Sequence, residues 1–125
     1  MIELSVKKVL ELHNKMIHTT GGSNGVRELS LIESSINQIK QTFDSIELYP
    51  TTEEKAAMLA YSLISNHGFV DGNKRIGIYV MLVFLELNKL RLRFTQNELI
   101  DLGLNTASGK YKYDYILEFI NKHKG

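Results

Sequence analysis

No cysteine occurs anywhere in the 125 residues. That absence removes disulfide frameworks, thiol nucleophiles and thiolate metal sites together, and it agrees with a reducing, cytoplasmic setting. Long apolar runs are missing as well. The longest uncharged apolar stretch, Ile76 to Leu85, has ten residues, against the roughly 20 that a membrane span needs, so it reads as a buried helix. Nor is there an excess of charge of one sign. Lys and Arg number 15 against 14 Asp and Glu, a formal +1, and the balance holds along the whole chain, which argues against coating of a nucleic-acid duplex. The opening MIELSVKKVLEL brings in Glu3, Lys7 and Lys8 early and lacks an apolar core with a small-residue cleavage site, so it does not read as a secretory signal. Proline occurs once, at Pro50.

What remains is helical pattern. The 43% apolar content recurs at three- and four-residue spacing, which predicts a helix-dominated single domain over residues 1–125. Ser30 with Glu33, Thr51 with Glu54 and Thr95 with Glu98 each have the spacing in which a hydroxyl and a carboxylate satisfy the free amides of a helix start. The first helix is expected from about Ser5 to His18, closed by Gly21 and Gly22. A second follows Ser30, and a third runs from near Thr52 to the polar stretch 66–73. The next, from Lys74 to about Asn88, is apolar nearly all round and marks the element that others surround. Thr95 to Leu102 and Lys112 to Lys122 complete the set, with residues 90–94 alternating like a short strand or extended connector.

Chemistry concentrates in HGFVDGNKR, His67 to Arg75, between two apolar helices. A connection of this kind needs only a cap and a glycine. This one offers a histidine that can titrate near neutrality, a carboxylate four residues on, and two cations at the start of a helix. A helix N-terminus carries free N–H groups and partial positive charge, Gly72 permits close approach of an anion, and Lys74 and Arg75 add charge-assisted bonds. His67 has the chemistry of a general base. Asp71 has that of a one-carboxylate Mg²⁺ ligand, the remaining positions going to water and phosphate. Phe69 reads as a core residue that fixes the loop.

The run resembles the signature of the Fic/Doc superfamily, and the lysine at position 74 makes it similar to the Doc (death-on-curing) branch rather than to the Fic branch, which has glycine there. The upstream GGSNGVRELSLIESSI resembles the corresponding Doc segment, so the likeness spans residues 1 to about 90. It implies an all-helical bundle around the helix after the motif, and transfer of the γ-phosphate of ATP, with Mg²⁺, to a Ser or Thr hydroxyl of a target protein of the translation machinery. By position it implies His67 as the catalytic base and Asp71 as the metal-associated acid. Gly72, Asn73, Lys74 and Arg75 fall on the phosphate cradle, and Gly22, Gly25 and Arg27 on a flap that holds the target. Self-inhibited relatives carry a glutamate followed by Gly or Asn. None here is so followed, which implies a separate antitoxin chain that docks as a helix or folds on binding. The same residues also suit nucleotidyl transfer to a protein hydroxyl, and a non-enzymatic helical binding module is the third alternative.

Ordinary readings apply elsewhere. His13, His18 and His123 are expected to be hydrogen-bonded structural residues, and the five-residue spacing of His13 and His18 puts them on different sides of a helix. Tyr111, Tyr113 and Tyr115 lack the basic groove of a base-stacking platform. They read as core or as contacts to the antitoxin.

Overall fold

The computed structural model describes residues Met1–Gly125, and each helix starts where its local chemistry allows. Ser5 caps α1 (Val6–Thr20) by accepting the Lys8 N–H at 3.1 Å. Its inner stripe, Val9, Leu12, His13, Met16 and Ile17, has the spacing of one helix face, and the chain leaves it at Gly21 with φ 89°. The expected boxes form at Thr51 and Thr95, which start α3 (Thr52–Asn66) and α5 (Gln96–Ala107). Between them runs α4 (Asn73–Leu87), and α6 (Tyr113–Lys122) closes the chain.

The box expected at Ser30 does not form. The second helix, α2 (Leu29–Gln38), begins two residues earlier with Glu28 in the cap position and no side-chain cap, and Ser30 Oγ donates instead to Glu28 Oε1 at 3.2 Å. The reason is tertiary: the N–H groups of Arg27 and Glu28 both donate to Gly68 O, at 2.8 and 3.0 Å, so the entry to α2 is set by the motif loop, and Ser30 is already inside the helix. A minimal hairpin, β1 (Thr42–Phe43) with antiparallel β2 (Ile46–Glu47), forms where the sequence carries no strand pattern. It turns through Asp44 and Ser45, both at positive φ, without the glycine that signals such turns.

One continuous core of 27 buried apolar residues joins the elements, so residues 1–125 pack as one unit. At its centre α3 and α4 lie side by side. Ala56, Ala57 and Ala60 of α3 are fully buried, and a Cβ at Gly77 of α4 would stand 2.5 Å from Ile64 and 3.2 Å from Ala60 O, so small residues set how closely the two backbones approach. α2, α5 and α6 pack on α3, and α1 and α5 on α4. Residues 90–94 are an extended connector with a single bridge, Leu92 to Lys124. α5 runs five residues past its expected end at Leu102.

The polarity of α3 positions everything that follows. Its first turn holds the hairpin, through Lys55 Nζ to Glu47 Oε1 at 3.0 Å and to Tyr49 O. Its last turn delivers His67. Fifteen helical residues separate the two ends by about 22 Å.

Candidate active site

α3 stops because His67 takes the left-handed conformation, φ 50° and ψ 51°. Arg27 secures that turn from outside, its Nε donating to His67 O at 2.7 Å and its Nη2 to Asn66 O at 3.2 Å. A guanidinium on the last carbonyls of a helix also suits the negative end of the dipole. Arg27 therefore braces the backbone of His67 rather than standing free in the cleft. The His67 side chain is exposed and its ring makes no hydrogen bond.

The loop is anchored on its other side by Phe69, 2% exposed. Its ring stacks on that of His13, with centroids 3.8 Å apart and planes inclined 12°. Its N–H donates to Asn73 Oδ1 and its C=O accepts from Asn73 Nδ2, both at 3.0 Å. Asn73 is thus spent on bracing the loop. A β-bridge between Val26 and Phe69, with Val70 N–H on Gly25 O at 3.1 Å, ties the glycine-rich segment to the motif.

Asp71 lies beneath that segment. Its Oδ2 accepts the Ser23 N–H at 3.0 Å and its Oδ1 the Gly72 N–H at 2.8 Å. These two amides, Ser23's first, hold the carboxyl below the ordinary aspartate range, and the Arg75 guanidinium 3.8 Å away adds to the effect. Gly22 is required by space. A Cβ there would fall 2.6 Å from Asp71 Oδ2 and 2.8 Å from Arg75 Nη2. Gly22 and Gly25 both have positive φ, 119° and 121°, and the 21–25 segment is a strap across the carboxylate.

Of the cations at the head of α4, Arg75 is occupied: its Nη1 donates to Thr20 Oγ1 and to Gly21 O, each at 2.8 Å, so it joins α4 to the end of α1. Lys74 is exposed, and its ammonium takes part in no hydrogen bond or ion pair. The first backbone bond of the helix runs from Ile76 N–H to Gly72 O, which leaves the N–H groups of Asn73, Lys74 and Arg75 without carbonyl partners inside the helix. What the fold leaves available at this spot is therefore an unengaged imidazole, an ammonium, a carboxylate and the positive end of a helix. Beside Lys74 and Arg75 opens a groove of about 400 Å³ walled by Ile78, Leu82, Leu99 and Ile100.

A family model described as the Fic/DOC family matches residues 3–85. The chain belongs to the Fic/DOC family. Among its relatives, a protein named Toxin Doc from Mycolicibacterium smegmatis is 36% identical over 72 residues, which are 58% of this chain and 55% of that protein. The alignment thus spans little more than half of the mycobacterial relative. Protein kinase doc from Escherichia phage P1 is 26% identical over 125 residues, 100% of this chain and 98% of that one. The mostly helical fold is that of a Fic/DOC domain, and the HGFVDGNKR run, the glycine-rich strap and the start of α4 all lie inside the matched region.

Of the candidate residues, His67 caps the end of α3, Asp71 and Gly72 close the loop, and Asn73, Lys74 and Arg75 form the first turn of α4. No local signal in the sequence announces the backbone donor Ser23 or the role of Thr20, because each acts across about 50 positions. His13, His18 and His123 are hydrogen-bonded as expected, to Asp71 O, Asn14 O and both Phe119 O and Glu98 respectively. Among the tyrosines, Tyr113 packs edge-on against Tyr49, and Tyr111 stacks on Tyr115 and donates to Asp101 at 2.9 Å.

Proposed function

We propose that this Fic/DOC protein is a Doc-type toxin that transfers the γ-phosphate of ATP to a Ser or Thr hydroxyl of a target protein belonging to the translation machinery. The observation that carries the reading is that the His67 imidazole at the end of α3 and the Lys74 ammonium in the first turn of α4 are both unengaged, in a loop that leads into the free N–H groups of that helix. Phosphoryl transfer asks for positioning and charge stabilisation rather than covalent chemistry from the protein, and these groups supply both. His67 accepts the hydroxyl proton as the oxygen bonds to the γ-phosphorus. The bond to the bridging oxygen breaks, and ADP leaves. Lys74, with the N–H groups of Asn73 and Arg75, faces the phosphate charge.

Mg²⁺ fits the donor set without making it a closed site. No three carboxylate or imidazole groups cluster anywhere in the chain, and each Asp71 oxygen retains a lone pair beside its amide bond, which suits an ion that takes few protein ligands. Bound there with ATP, the ion neutralises phosphate charge. A separate antitoxin is part of the proposal, by analogy with the name Toxin Doc of the mycobacterial relative. The apolar groove beside Lys74 is the surface that would receive its amphipathic segment.

ATP labelled at either the α or the γ phosphate tests the reading in a cell extract that contains the translation factors. Transfer of γ label alone to protein is the expected result. α label on the target would replace the reading with nucleotidyl transfer. Neither label moving, with folded protein free of antitoxin, would leave a binding module.

A further inference from the structure

His13 is the buried titratable group that the proposed chemistry does not use. It sits at 2% exposure in the middle of α1, and its Nε2 lies 2.8 Å from the backbone carbonyl of Asp71, 58 positions away. A carbonyl only accepts, so Nε2 carries the proton. The face of the same ring lies flat on Phe69. One side chain therefore grips the motif loop twice, at its apolar anchor and at the peptide that joins Asp71 to Gly72.

That peptide is the one in the loop most able to turn over. Gly72 stands at φ 78° and ψ 21°, and a glycine adopts the opposite sign of φ about as readily. Rotation of the Asp71–Gly72 plane by half a turn would leave the chain path nearly unchanged. It would move the Gly72 N–H away from Asp71 Oδ1, where it now donates at 2.8 Å, and turn the Asp71 carbonyl away from α1 to the side that N–H now faces. A carbonyl oxygen there repels phosphate, whereas an amide attracts it. Within the loop only the Gly72 N–H bond to Asp71 Oδ1 opposes the rotation. The Asp71 carbonyl is held only from α1.

We infer that His13 is a positioning residue, a latch that holds the Asp71 carbonyl on α1 and so keeps it from facing an anion at the free N–H groups that open α4. The inference deepens the proposed function, since it concerns the same anion site, yet its first test does not depend on activity. A protein that exists one tenth of the time in the competent orientation binds nucleotide about tenfold more weakly, and a latch acts through this fraction.

The experiment compares wild type with His13→Phe, which keeps a ring against Phe69 but loses the donor, and His13→Gln, whose amide restores one. In ¹⁵N-labelled wild type, two-bond proton–nitrogen spectra should show the proton on Nε2 of His13; a proton on Nδ1 alone would overturn the inference. In His13→Phe the Gly72 amide resonance should shift or broaden, and ATP affinity measured by calorimetry should fall tenfold or more. In His13→Gln both should return to within threefold of wild type. Where transfer is measured, the loss should lie in KM with kcat changed less than threefold. Should His13→Phe fail to fold, His13→Asn, whose amide is too short to reach, takes its place. A folded donor-less variant with an unmoved Gly72 resonance and wild-type ATP affinity would sink the latch. If wild type transfers neither label, the proposed kinase reaction falls, and the Nε2 proton and the Gly72 resonance still decide this inference.

Discussion

His67 is held at a left-handed turn, a conformation that alanine adopts at some cost and asparagine tolerates. His67→Asn is therefore a cleaner substitution than His67→Ala. Because the ring is exposed and makes no hydrogen bond, the variant should melt within about 2 °C of wild type, while loss of a general base should lower phosphate transfer about 10²- to 10⁴-fold. Transfer retained within threefold would remove His67 from the reaction. Lys74 is the second residue to test. Its ammonium is unpaired, so Lys74→Gly breaks no hydrogen bond or ion pair, and a glycine there costs at most about 1 kcal/mol in helix propensity. If Lys74 selects the orientation that presents the γ-phosphate, the variant should lower the ratio of γ to α label on the target. Full γ transfer with no gain of α label would assign that selection to another group.

The motif loop is a connection between two helices, and it is built as tightly as either. Asn73 belongs to α4 but acts on the loop, with its amide bonded to both polar backbone groups of Phe69. Truncation in Asn73→Ala leaves a buried N–H and C=O without partners, which is expected to cost about 1 to 3 kcal/mol per orphaned group. Urea unfolding should show the loss as a lower midpoint at unchanged slope, and amide exchange should quicken across 68–72 before the helices themselves. A midpoint equal to wild type would mean that Phe69 and His13 hold the loop alone. The strap obeys the same logic from the other side. Its grip on Asp71 runs through the Ser23 N–H and depends on Gly22, where any side chain would strike the carboxylate.

At the scale of the whole molecule, one pH-sensitive contact lies far from the motif in sequence. His123, at the end of α6, bonds Glu98, in the first turn of α5, at 2.5 Å. The carboxylate raises the imidazole pKa above its ordinary 6.5, and the same bond, with the Thr95 N–H, lowers that of Glu98 below 4.5. A raised histidine pKa gives stability that is complete below the unfolded value and is lost as pH rises through the folded one. A lowered glutamate pKa gives stability present above its unfolded value and lost as pH falls through the folded one. The contribution is therefore fullest between about pH 4.5 and 6.5. Glu98→Gln keeps the capping box, in which glutamine serves as well, and removes the charge. Wild type should lose melting temperature relative to this variant as pH rises from 6 to 8. Parallel profiles would show that the pair is screened and does not hold α5 to α6. No helix of the fold is long and apolar enough to cross a membrane, as the ten-residue apolar run already implied.

The sequence by itself determined the helices whose ends are written in short-range chemistry. Thr51 with Glu54 and Thr95 with Glu98 cap their own helices, and the apolar run after Asn73 can only be buried. It also placed His67, Asp71 and Lys74 together, because they lie within eight consecutive positions at one helix start. Tertiary structure alone decided which of these groups remain free. Arg75 is consumed by α1, Asn73 by Phe69 and Arg27 by the end of α3, while His67 and Lys74 are left without partners. The Ser30 box failed for the same reason, since two backbone bonds to Gly68, some 40 residues on, outweigh a local cap worth about 1 kcal/mol. His13 shows the limit most plainly. Its spacing announces a helix face, but a bond to Asp71 O spans 58 positions, and only the packing of α1 against the loop brings the two atoms within reach.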